Sequence, residues 1–307
     1  MRIGYLGSPE ISAELLSALS EHHQIAFVIS NPDRPRKRSG TPEPTAVSEL
    51  ALQRGWTLHR PETLKDESLL RDLRALDADV YFVFSYGKIL PEALFSIPRY
   101  STLNLHGSIL PLLRGASPIQ SALLAGMSET GWTLQKITRE LDAGDILGEV
   151  RVPIGPDDRT SELTAKMMPL AAELSLQILE DLPAALLNAR PQNHALATFC
   201  TKVRREDARI DWKLESHTIH NRVRAYYPAP CAWTMLAGKT CRILSTRCSE
   251  LNWPARVPGG IWTENGKMYA GSGSAALEIL ELQLEGKKPL KSSEFLRGFR
   301  AEGARFE

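Results

Sequence analysis

Residues 2–30 read RIGYLGSPEISAELLSALSEHHQIAFVIS and contain two apolar segments of strand length with a helical segment between them. The apolar segments are residues 2–7 and 24–30, and residues 9–20 have the periodicity of a helix. A strand, a helix and a second strand in so short a stretch form a βαβ unit. The opening of the chain therefore predicts an α/β fold.

The alternation of strand-like and helix-like segments continues beyond this unit. Strands are predicted at residues 56–58 and 79–84, and helices at residues 44–54 and 66–76. This pattern predicts a doubly wound, mostly parallel, Rossmann-like sheet with helices on both faces, where ligands bind beyond the carboxyl ends of the strands. The first turn lacks the GxGxxG fingerprint, which disfavours a nucleotide-binding oxidoreductase.

The chemistry is expected within residues 101–145. Residues 102–106 are a predicted strand, on which Asn104 and His106 share one face because side chains alternate along a strand. Ser117 and Pro118 predict the start of a helix, and Asp142 lies in a turn between two predicted strands. An amide, an imidazole and a carboxylate are thus expected to converge. Taken singly, a histidine at a strand end also suits a surface or core position, and an aspartate before Ala-Gly also suits a plain turn.

Four short motifs occur in order here, namely Asn104-Leu105-His106, Ser108-Ile109-Leu110-Pro111, RGASPIQ at residues 114–120 and LDAGD at residues 141–145. With these motifs the chain resembles the methionyl-tRNA formyltransferases of the 10-formyltetrahydrofolate-dependent formyltransferase family. The resemblance is strong over residues 1–155 and looser from about residue 200 onwards. Four motifs in matching order and spacing are more specific than any one of them.

The resemblance implies which residues form the active site. The catalytic residues would be Asn104, His106 and Asp142, and the loop that binds the co-substrate 10-formyltetrahydrofolate would be Ser108, Ile109, Leu110 and Pro111. An amide and a protonated imidazole can stabilise the oxygen that becomes negative during formyl transfer, and a carboxylate can handle the proton of the attacking amine. This chemistry requires no metal ion and no nucleophilic serine or cysteine.

A Pro-rich connection at residues 31–44 contains a cluster of basic side chains. Its prolines exclude a regular helix, and the cluster suits either a solvated loop or a loop that grips phosphates. In the family this loop contacts the acceptor end of tRNA. The resemblance therefore implies that tRNA contacts come from Arg34, Arg36, Lys37 and Arg38.

The last third of the chain differs in character. Short strand-like segments recur at residues 233–236, 241–244, 260–263 and 277–282, and predict a small β-barrel. The entry at residues 209–212, followed by a helix at 215–226, resembles the start of the family's OB-like C-terminal domain, which would bind tRNA. We therefore expect a catalytic formyltransferase domain at 1–187, a linker at 188–204 and an OB-like domain at 205–307.

The distribution of charged residues indicates what kind of partner the protein could bind. Residues 201–307 carry 18 Lys and Arg against 12 Asp and Glu, while the whole chain has a net charge of +1. This excess suits a polyanionic partner or an ordinary surface, and Arg222 and Arg224 are candidate phosphate contacts.

The four cysteines have no CxxC spacing and are expected to be free thiols. The start of the chain has no leader pattern and no apolar run is of membrane-spanning length, so a cytoplasmic location is expected. The protein is also expected to be a monomer.

The implied function is transfer of a formyl group from 10-formyltetrahydrofolate to the amino group of methionyl initiator tRNA, for initiation of protein synthesis. Two alternatives remain from the residues. One is a formyltransferase that acts on a sugar amine or on glycinamide ribonucleotide, and the other is a non-catalytic module that binds folate or RNA. The full set of Asn104, His106 and Asp142 favours an enzyme over such a module, and the basic segments favour tRNA over the smaller amines.

Overall fold

The computed structural model describes residues 1–35, 40–249, 251, 257–301 and 303–307. The elements up to residue 153 are β1 Arg2–Gly7, α1 Glu10–Ser20, β2 Gln24–Ile29, β3 Arg34–Pro35, β4 Pro42–Glu43, α2 Ala46–Arg54, β5 Leu58–His59, α3 Glu67–Ala75, β6 Val80–Phe84, α4 Glu92–Phe95, β7 Ser101–His106, β8 Arg114–Gly115, α5 Pro118–Leu124, β9 Glu129–Lys136 and β10 Ile146–Pro153. The predicted βαβ opening and the predicted start of α5 at Pro118 are confirmed.

The remaining elements begin with two helices and end in a series of antiparallel strands. They are α6 Thr160–Glu180, α7 Leu182–Leu187, a 3-10 turn His194–Leu196, β11 Phe199–Cys200, a 3-10 turn Glu206–Ala208, α8 Ser216–Tyr226, β12 Ala232–Leu236, β13 Lys239–Cys248, β14 Ile261–Glu264, β15 Lys267–Gly271, β16 Ala276–Leu284, β17 Leu290–Lys291 and α9 Ser292–Phe295. Pro169 lies inside α6, and Met167 and Met168 are buried there as core residues.

In the described residues, seven strands form the first sheet in the order β10-β9-β7-β6-β1-β2-β5. The pairs among β5, β2, β1, β6 and β7 are parallel, and β9 runs antiparallel to β7. The central strand β6 is buried along its whole length, and β1 is buried after its first residue. Strands buried on both faces are typical of a sheet covered by helices, so the predicted α/β class is confirmed.

One face of this sheet packs on a continuous apolar cluster. The cluster contains the large side chains Phe27, Tyr81 and Leu73, and the ring of Phe27 meets that of Tyr81 edge to face at 5.1 Å. Such aromatic pairs stabilise the fold by more than the burial of their apolar area alone. The carboxyl ends of β1, β2, β6 and β7 are thereby held at one edge of the sheet, which is where the candidate site lies.

The described chain divides into two compact units. The first comprises residues 1–118, 131–152 and 166–200, and the second comprises residues 119–130, 153–165 and 201–307. The predicted linker contains β11, which pairs with β8 in the first unit. A two-residue strand carries too little sequence signal to be predicted. The division at residues 187 and 205 stays a prediction.

The second unit is built on an antiparallel sheet in the order β12-β13-β16-β15-β14, with β17 beside β16. The C-terminal segment bonds to both edges of this sheet, because the amide of Phe306 donates to Gly259 O (2.8 Å) and the amide of Glu307 donates to Met235 O (3.0 Å). The sheet therefore closes around a core in which Phe306 stacks on Trp212 at 5.0 Å. This arrangement agrees with the predicted small barrel, although β15 was not predicted.

Three further expectations can be compared with the structure. The four cysteines all lie in the described residues and none is part of a disulfide, in agreement with the prediction. Arg224, a candidate phosphate contact, is buried and donates to the carbonyl oxygens of Gly155 and Asp158, so that prediction is wrong. The sequence showed a cation but not the backbone carbonyls that surround it. Among the described helices, none is both long and apolar enough to cross a bilayer.

Candidate active site

The structure brings Asn104, His106 and Asp142 together. The amide nitrogen of Asn104 lies 3.4 Å from Asp142 Oδ1, and the imidazole Nδ1 of His106 lies 3.7 Å from Asp142 Oδ2. The side chains of His106 and Asp142 are only 5% and 11% exposed. An amide, an imidazole and a carboxylate therefore form one cluster at the carboxyl end of β7, where the sequence predicted it.

The pairing of β7 with β9 explains how this cluster is positioned. Asn104 stands opposite Gln135 and His106 stands opposite Thr133 in the antiparallel register. Because opposite residues in such a pair project from the same face of the sheet, β9 places two polar side chains beside the two polar side chains of β7. Gln135 uses this position to donate from Nε2 to Asp142 Oδ1 at 3.1 Å.

The turn that carries Asp142 is fixed by backbone geometry. Asp142 has a φ of 51°, a left-handed conformation that aspartate tolerates better than most residues. Gly144 lies so close to the neighbouring strand that a Cβ atom there would be 1.9 Å from Lys136 O. The backbone amide of Gly115 donates to Asp142 Oδ2 at 2.8 Å, so both carboxylate oxygens accept hydrogen bonds. The LDAGD motif thus serves to aim one carboxylate.

The hydrogen bonds of His106 define its tautomer. Nε2 lies 2.9 Å from the carbonyl oxygen of Leu113, which can only accept, so this nitrogen carries a hydrogen. Leu113 itself has a φ of 57°, an uncommon conformation for a bulky side chain, and its amide donates to Thr198 Oγ1 at 2.9 Å. The ring is therefore oriented by the loop that follows β7, and Nδ1 is the nitrogen that faces Asp142.

The predicted folate loop, residues 108–111, is tied to β9 through its backbone. Thr133 Oγ1 donates to Ser108 O at 2.7 Å and accepts from the amide of Leu110 at 3.1 Å. Ser108 and Leu110 are buried, while Ile109 and Pro111 are partly exposed. The polar backbone of the loop is thus satisfied inside the protein, and the loop presents apolar side chains outward.

Several residues of the site were missed from sequence. Gln135 and Gln192 are buried beside Asp142, and Arg114, seen only as part of a motif, is buried next to Gln192. Polar residues at alternate positions 133 and 135 of a predicted strand are a signal that could have identified Gln135. Gln192 has no such signal, because it lies in an irregular segment far along the chain.

The predicted tRNA loop is described in part. Arg34 is exposed on β3, which pairs with β4, whereas Arg36, Lys37 and Arg38 lie outside the described residues. The base of the loop is attached to the sheet by Asn31, whose side-chain nitrogen donates to Ser8 Oγ at 2.9 Å and to Tyr86 O at 2.8 Å. The loops that follow β1, β2 and β6 therefore meet at the edge that carries the cluster.

Two family models match the chain. The model described as formyl transferase matches residues 1–179, and the model described as formyl transferase, C-terminal domain, matches residues 202–300. The chain is 42% identical over 310 residues to the methionyl-tRNA formyltransferase of Leptospira interrogans serovar copenhageni, covering 98% of both chains. It is 38% identical over 300 residues to the methionyl-tRNA formyltransferase of Methylobacillus flagellatus, covering 97% of this chain and 96% of the other.

Solved structures share the fold at lower sequence identity. The N-formyltransferase of Helicobacter canadensis, solved with folinic acid and dTDP-3-aminofucose, aligns with a TM-score of 0.68 and 15% identity over 92% of this chain and 99% of that one. HypX of Aquifex aeolicus, solved with tetrahydrofolic acid, aligns with a TM-score of 0.66 and 19% identity over 96% of this chain and 47% of that one. From the two family models and the full-length relatives it follows that the chain belongs to the formyl transferase family.

Proposed function

We propose that this protein transfers a formyl group from 10-formyltetrahydrofolate to the amino group of methionyl initiator tRNA. The observation that carries the proposal is the cluster of Asn104, His106 and Asp142 at the end of β7. Similarity to methionyl-tRNA formyltransferases along nearly the entire chain supports tRNA as the acceptor. The likeness to the N-formyltransferase of Helicobacter canadensis, solved with dTDP-3-aminofucose, is one of fold at 15% identity, so it does not favour an amino sugar as the acceptor.

Asn104 is assigned the direct stabilisation of the oxyanion. Attack of an amine on a formyl carbon places negative charge on the formyl oxygen, and a side-chain amide aimed there lowers the barrier. Asn104 has two amide hydrogens, of which one is directed to Asp142, and its side chain is only partly buried. The second hydrogen is the one available for the oxyanion.

His106 is assigned an electrostatic role. Its Nε2 hydrogen is directed to Leu113 O, so the ring cannot also donate from Nε2 to the oxyanion while this bond lasts. In the imidazolium form Nδ1 carries a second hydrogen toward Asp142 Oδ2, and the ring brings a positive charge into a water-poor site where charge interactions are strong. This differs from the role inferred from sequence, which was a direct donor to the oxyanion.

Asp142 is assigned the proton of the attacking amine. The amine nitrogen forms a bond to the formyl carbon and must release a proton, and the bond from that carbon to the donor nitrogen breaks as the donor nitrogen takes up a proton. Asp142 accepts the first of these protons, directly or through one water, while the positive charge of His106 faces Asp142 Oδ2 at 3.7 Å. No atom of the protein becomes covalently attached to the formyl group in this scheme.

The loop at residues 108–111 suits a folate-derived donor. Its backbone bonds to Thr133, and Ile109 and Pro111 are partly exposed apolar residues in the loop that follows His106. A flat aromatic ring system packs well on such a surface, and the donor supplies the formyl group to be transferred. A neighbour of the same fold was solved with tetrahydrofolic acid, in keeping with this assignment.

Contacts to tRNA are assigned to the loop at the carboxyl edge of the sheet. Arg34 is exposed there, and we extend the assignment to Arg36, Lys37 and Arg38, which lie outside the described residues. Because neutralised phosphates release counterions, binding should weaken steeply with salt. Replacing all four residues by Ala should flatten the dependence of the dissociation constant on salt. An unchanged salt slope in that variant would contradict the assignment.

The proposed function is tested with one formyl donor and three acceptors. Labelled 10-formyltetrahydrofolate is mixed with charged initiator methionyl-tRNA, with an amino-sugar nucleotide or with glycinamide ribonucleotide, and the label is followed into each acceptor. We expect label on the tRNA alone. Label on a small amine alone would support formyl transfer by the cluster and contradict the proposal that tRNA is the acceptor. A cytoplasmic location and a monomeric state stay predictions.

A further inference from the structure

Arg114 is a buried cation without a buried anion. Its side chain is part of a residue that is 4% exposed, and no carboxylate lies within ion-pair distance of it among the residues that the structure describes. Its hydrogen-bond partners are neutral: Gln192 Oε1, at 2.7 Å from Nη2 and 3.2 Å from Nε, and His194 Nδ1 at 3.3 Å. Burial of an uncompensated charge is costly, so the position of this arginine calls for a physical reason.

The guanidinium fixes the orientation of the Gln192 amide. An arginine can only donate, so the atom of Gln192 that faces it must be the oxygen. The same orientation follows from the other end, where Nε2 of Gln192 faces two acceptors, Gly144 O at 2.7 Å and Asp142 O at 3.0 Å. Amide orientation is normally ambiguous, but here both ends require the same one.

The orientation passes from Gln192 to Gln135. Nε2 of Gln192 also lies 3.2 Å from Gln135 Oε1, so the oxygen of the second amide faces the first amide. Nε2 of Gln135 is then left to donate to Asp142 Oδ1 at 3.1 Å. A reversed Gln135 would set its oxygen against the carboxylate and its NH2 against the NH2 of Gln192.

We infer that Arg114, Gln192 and Gln135 form a directed hydrogen-bond chain that positions the carboxylate of Asp142 for proton transfer. This inference rests on the catalytic role proposed for Asp142. These hydrogen bonds connect the guanidinium of Arg114 to the carboxylate of Asp142 through the amides of Gln192 and Gln135. The positive and negative groups are thus linked without direct contact. The other groups that face Asp142 are the imidazole of His106 on β7, the amide of Asn104 on β7 and the backbone amide of Gly115 on β8. These three residues are positioned by β7 and β8, so the orientation that Arg114 imposes reaches the carboxylate of Asp142 through Gln135, while Gln192 also donates to the backbone oxygen of Asp142.

Gln135→Glu is the sharpest variant, because it keeps size and shape while replacing the donor by an acceptor. We expect kcat to fall by about tenfold or more, the scale of a displaced catalytic group, with KM for both substrates nearly unchanged. The acid limb of the pH–kcat profile should move to higher pH, because two facing carboxylates share a proton. Gln135→Met removes the donor without adding charge, so it should lower kcat and move the limb to higher pH by less than Gln135→Glu does.

Arg114 is tested by a conservative rescue. Arg114→Lys keeps a donor-only cation and Arg114→Met removes it, while both have long unbranched side chains. We expect the Lys variant to keep several times more of the wild-type kcat than the Met variant. Thermal unfolding of both variants identifies any loss that is due to unfolding. Equal kcat values for two folded variants would overturn the inference.

The outcomes separate this inference from the proposed function. Suppose that folded Gln135→Glu keeps the wild-type rate of formyl transfer to methionyl-tRNA within about twofold and that the acid limb of its pH–kcat profile does not move. This result would overturn the inference and leave the proposed function intact. If the wild type formylates another amine, the same variants are compared on that amine. Titration of 13C-aspartate by NMR, with Asp142→Asn to identify the signal, requires no activity. Proton uptake at Asp142 must then occur at higher pH in Gln135→Glu, and an unchanged titration would contradict the inference.

Discussion

Asn104 and Gln135 stand opposite each other on β7 and β9, and their amides both donate to one oxygen of Asp142, at 3.4 Å and 3.1 Å. The carboxylate is therefore held by two strands of the sheet as well as by its own turn. Rigid strands position a side chain more accurately than loops do. The position of the Asp142 carboxylate is thus set largely by the sheet.

His106→Ala removes the imidazole from this cluster. We expect a loss of about a hundredfold or more in turnover, the scale seen when one group that stabilises an oxyanion is deleted. The measurement is the rate of formyl transfer at saturating substrates. His217→Ala is the matched control, because His217 is exposed and should leave the rate unchanged. A folded His106→Ala variant that keeps more than half of the activity would contradict the role of His106.

Gly115→Ala tests the close approach of β8 and β11. A Cβ atom at this position would lie 2.1 Å from Cys200 O, and the φ of 122° is unfavourable for alanine. We expect the free energy of unfolding in urea to fall by about 1–3 kcal/mol, as for an overpacked site, and the rate to fall because Gly115 donates to Asp142.

Gly55→Ala is the matched control for Gly115→Ala. Gly55 has a φ of 67°, and among the described residues no heavy atom beyond its own chain neighbours lies within 4 Å of the added Cβ, so only left-handed strain of about 1 kcal/mol is expected. Equal losses of stability in the two variants would show that the contact with Cys200 O is unimportant.

The lowered pKa of His220 predicts how the stability of the protein depends on pH. Burial lowers the pKa of this histidine, and Arg224 lowers it further, while Pro156 O and Asp157 act in the opposite direction. The folded protein therefore binds a proton at His220 less readily than the unfolded chain does. Stability from this group is present above the unfolded-state pKa of about 6.5 and is lost as the pH falls below it.

The measurement for His220 is the melting temperature at pH 7.5 and pH 5.5. His220→Gln removes the titrating group but keeps a donor and an acceptor for Pro156 O and Thr246 Oγ1. We expect the decrease in melting temperature to be smaller in the variant than in the wild type, by about 2 °C. An equal decrease in both proteins would mean that His220 does not contribute.

The cluster of Asn104, His106 and Asp142 was largely predictable because it depends on local rules. Alternation along a strand placed Asn104 and His106 on one face, and the turn signal located Asp142. Gln192 was not predictable, because it reaches Gln135 across 57 residues and depends on tertiary packing. The burial of Arg114 was hidden for the same reason, since a motif shows residue types but not their surroundings.

The fold shows the same limit. Apolar strands of ordinary length, such as β1 and β6, were predictable from their runs of apolar residues, and the structure buries them. The two-residue strand β11 and the C-terminal segment that closes the second sheet were not, because both are defined by hydrogen bonds to distant strands. Sequence periodicity reports which face of an element is buried, and it does not report where a short irregular segment will pair.

The central claim is that Asp142 takes the proton of an amine during formyl transfer to methionyl-tRNA. Its most direct test is the single-turnover rate of N-formylmethionyl-tRNA formation by Asp142→Asn and by Asp145→Asn. Asp145 lies in the same turn but is 45% exposed and paired with Lys136, so it is the matched control. We predict a loss of about a hundredfold or more for Asp142→Asn and little change for Asp145→Asn. Equal rates for the two folded variants, or a larger loss in Asp145→Asn, would contradict the claim.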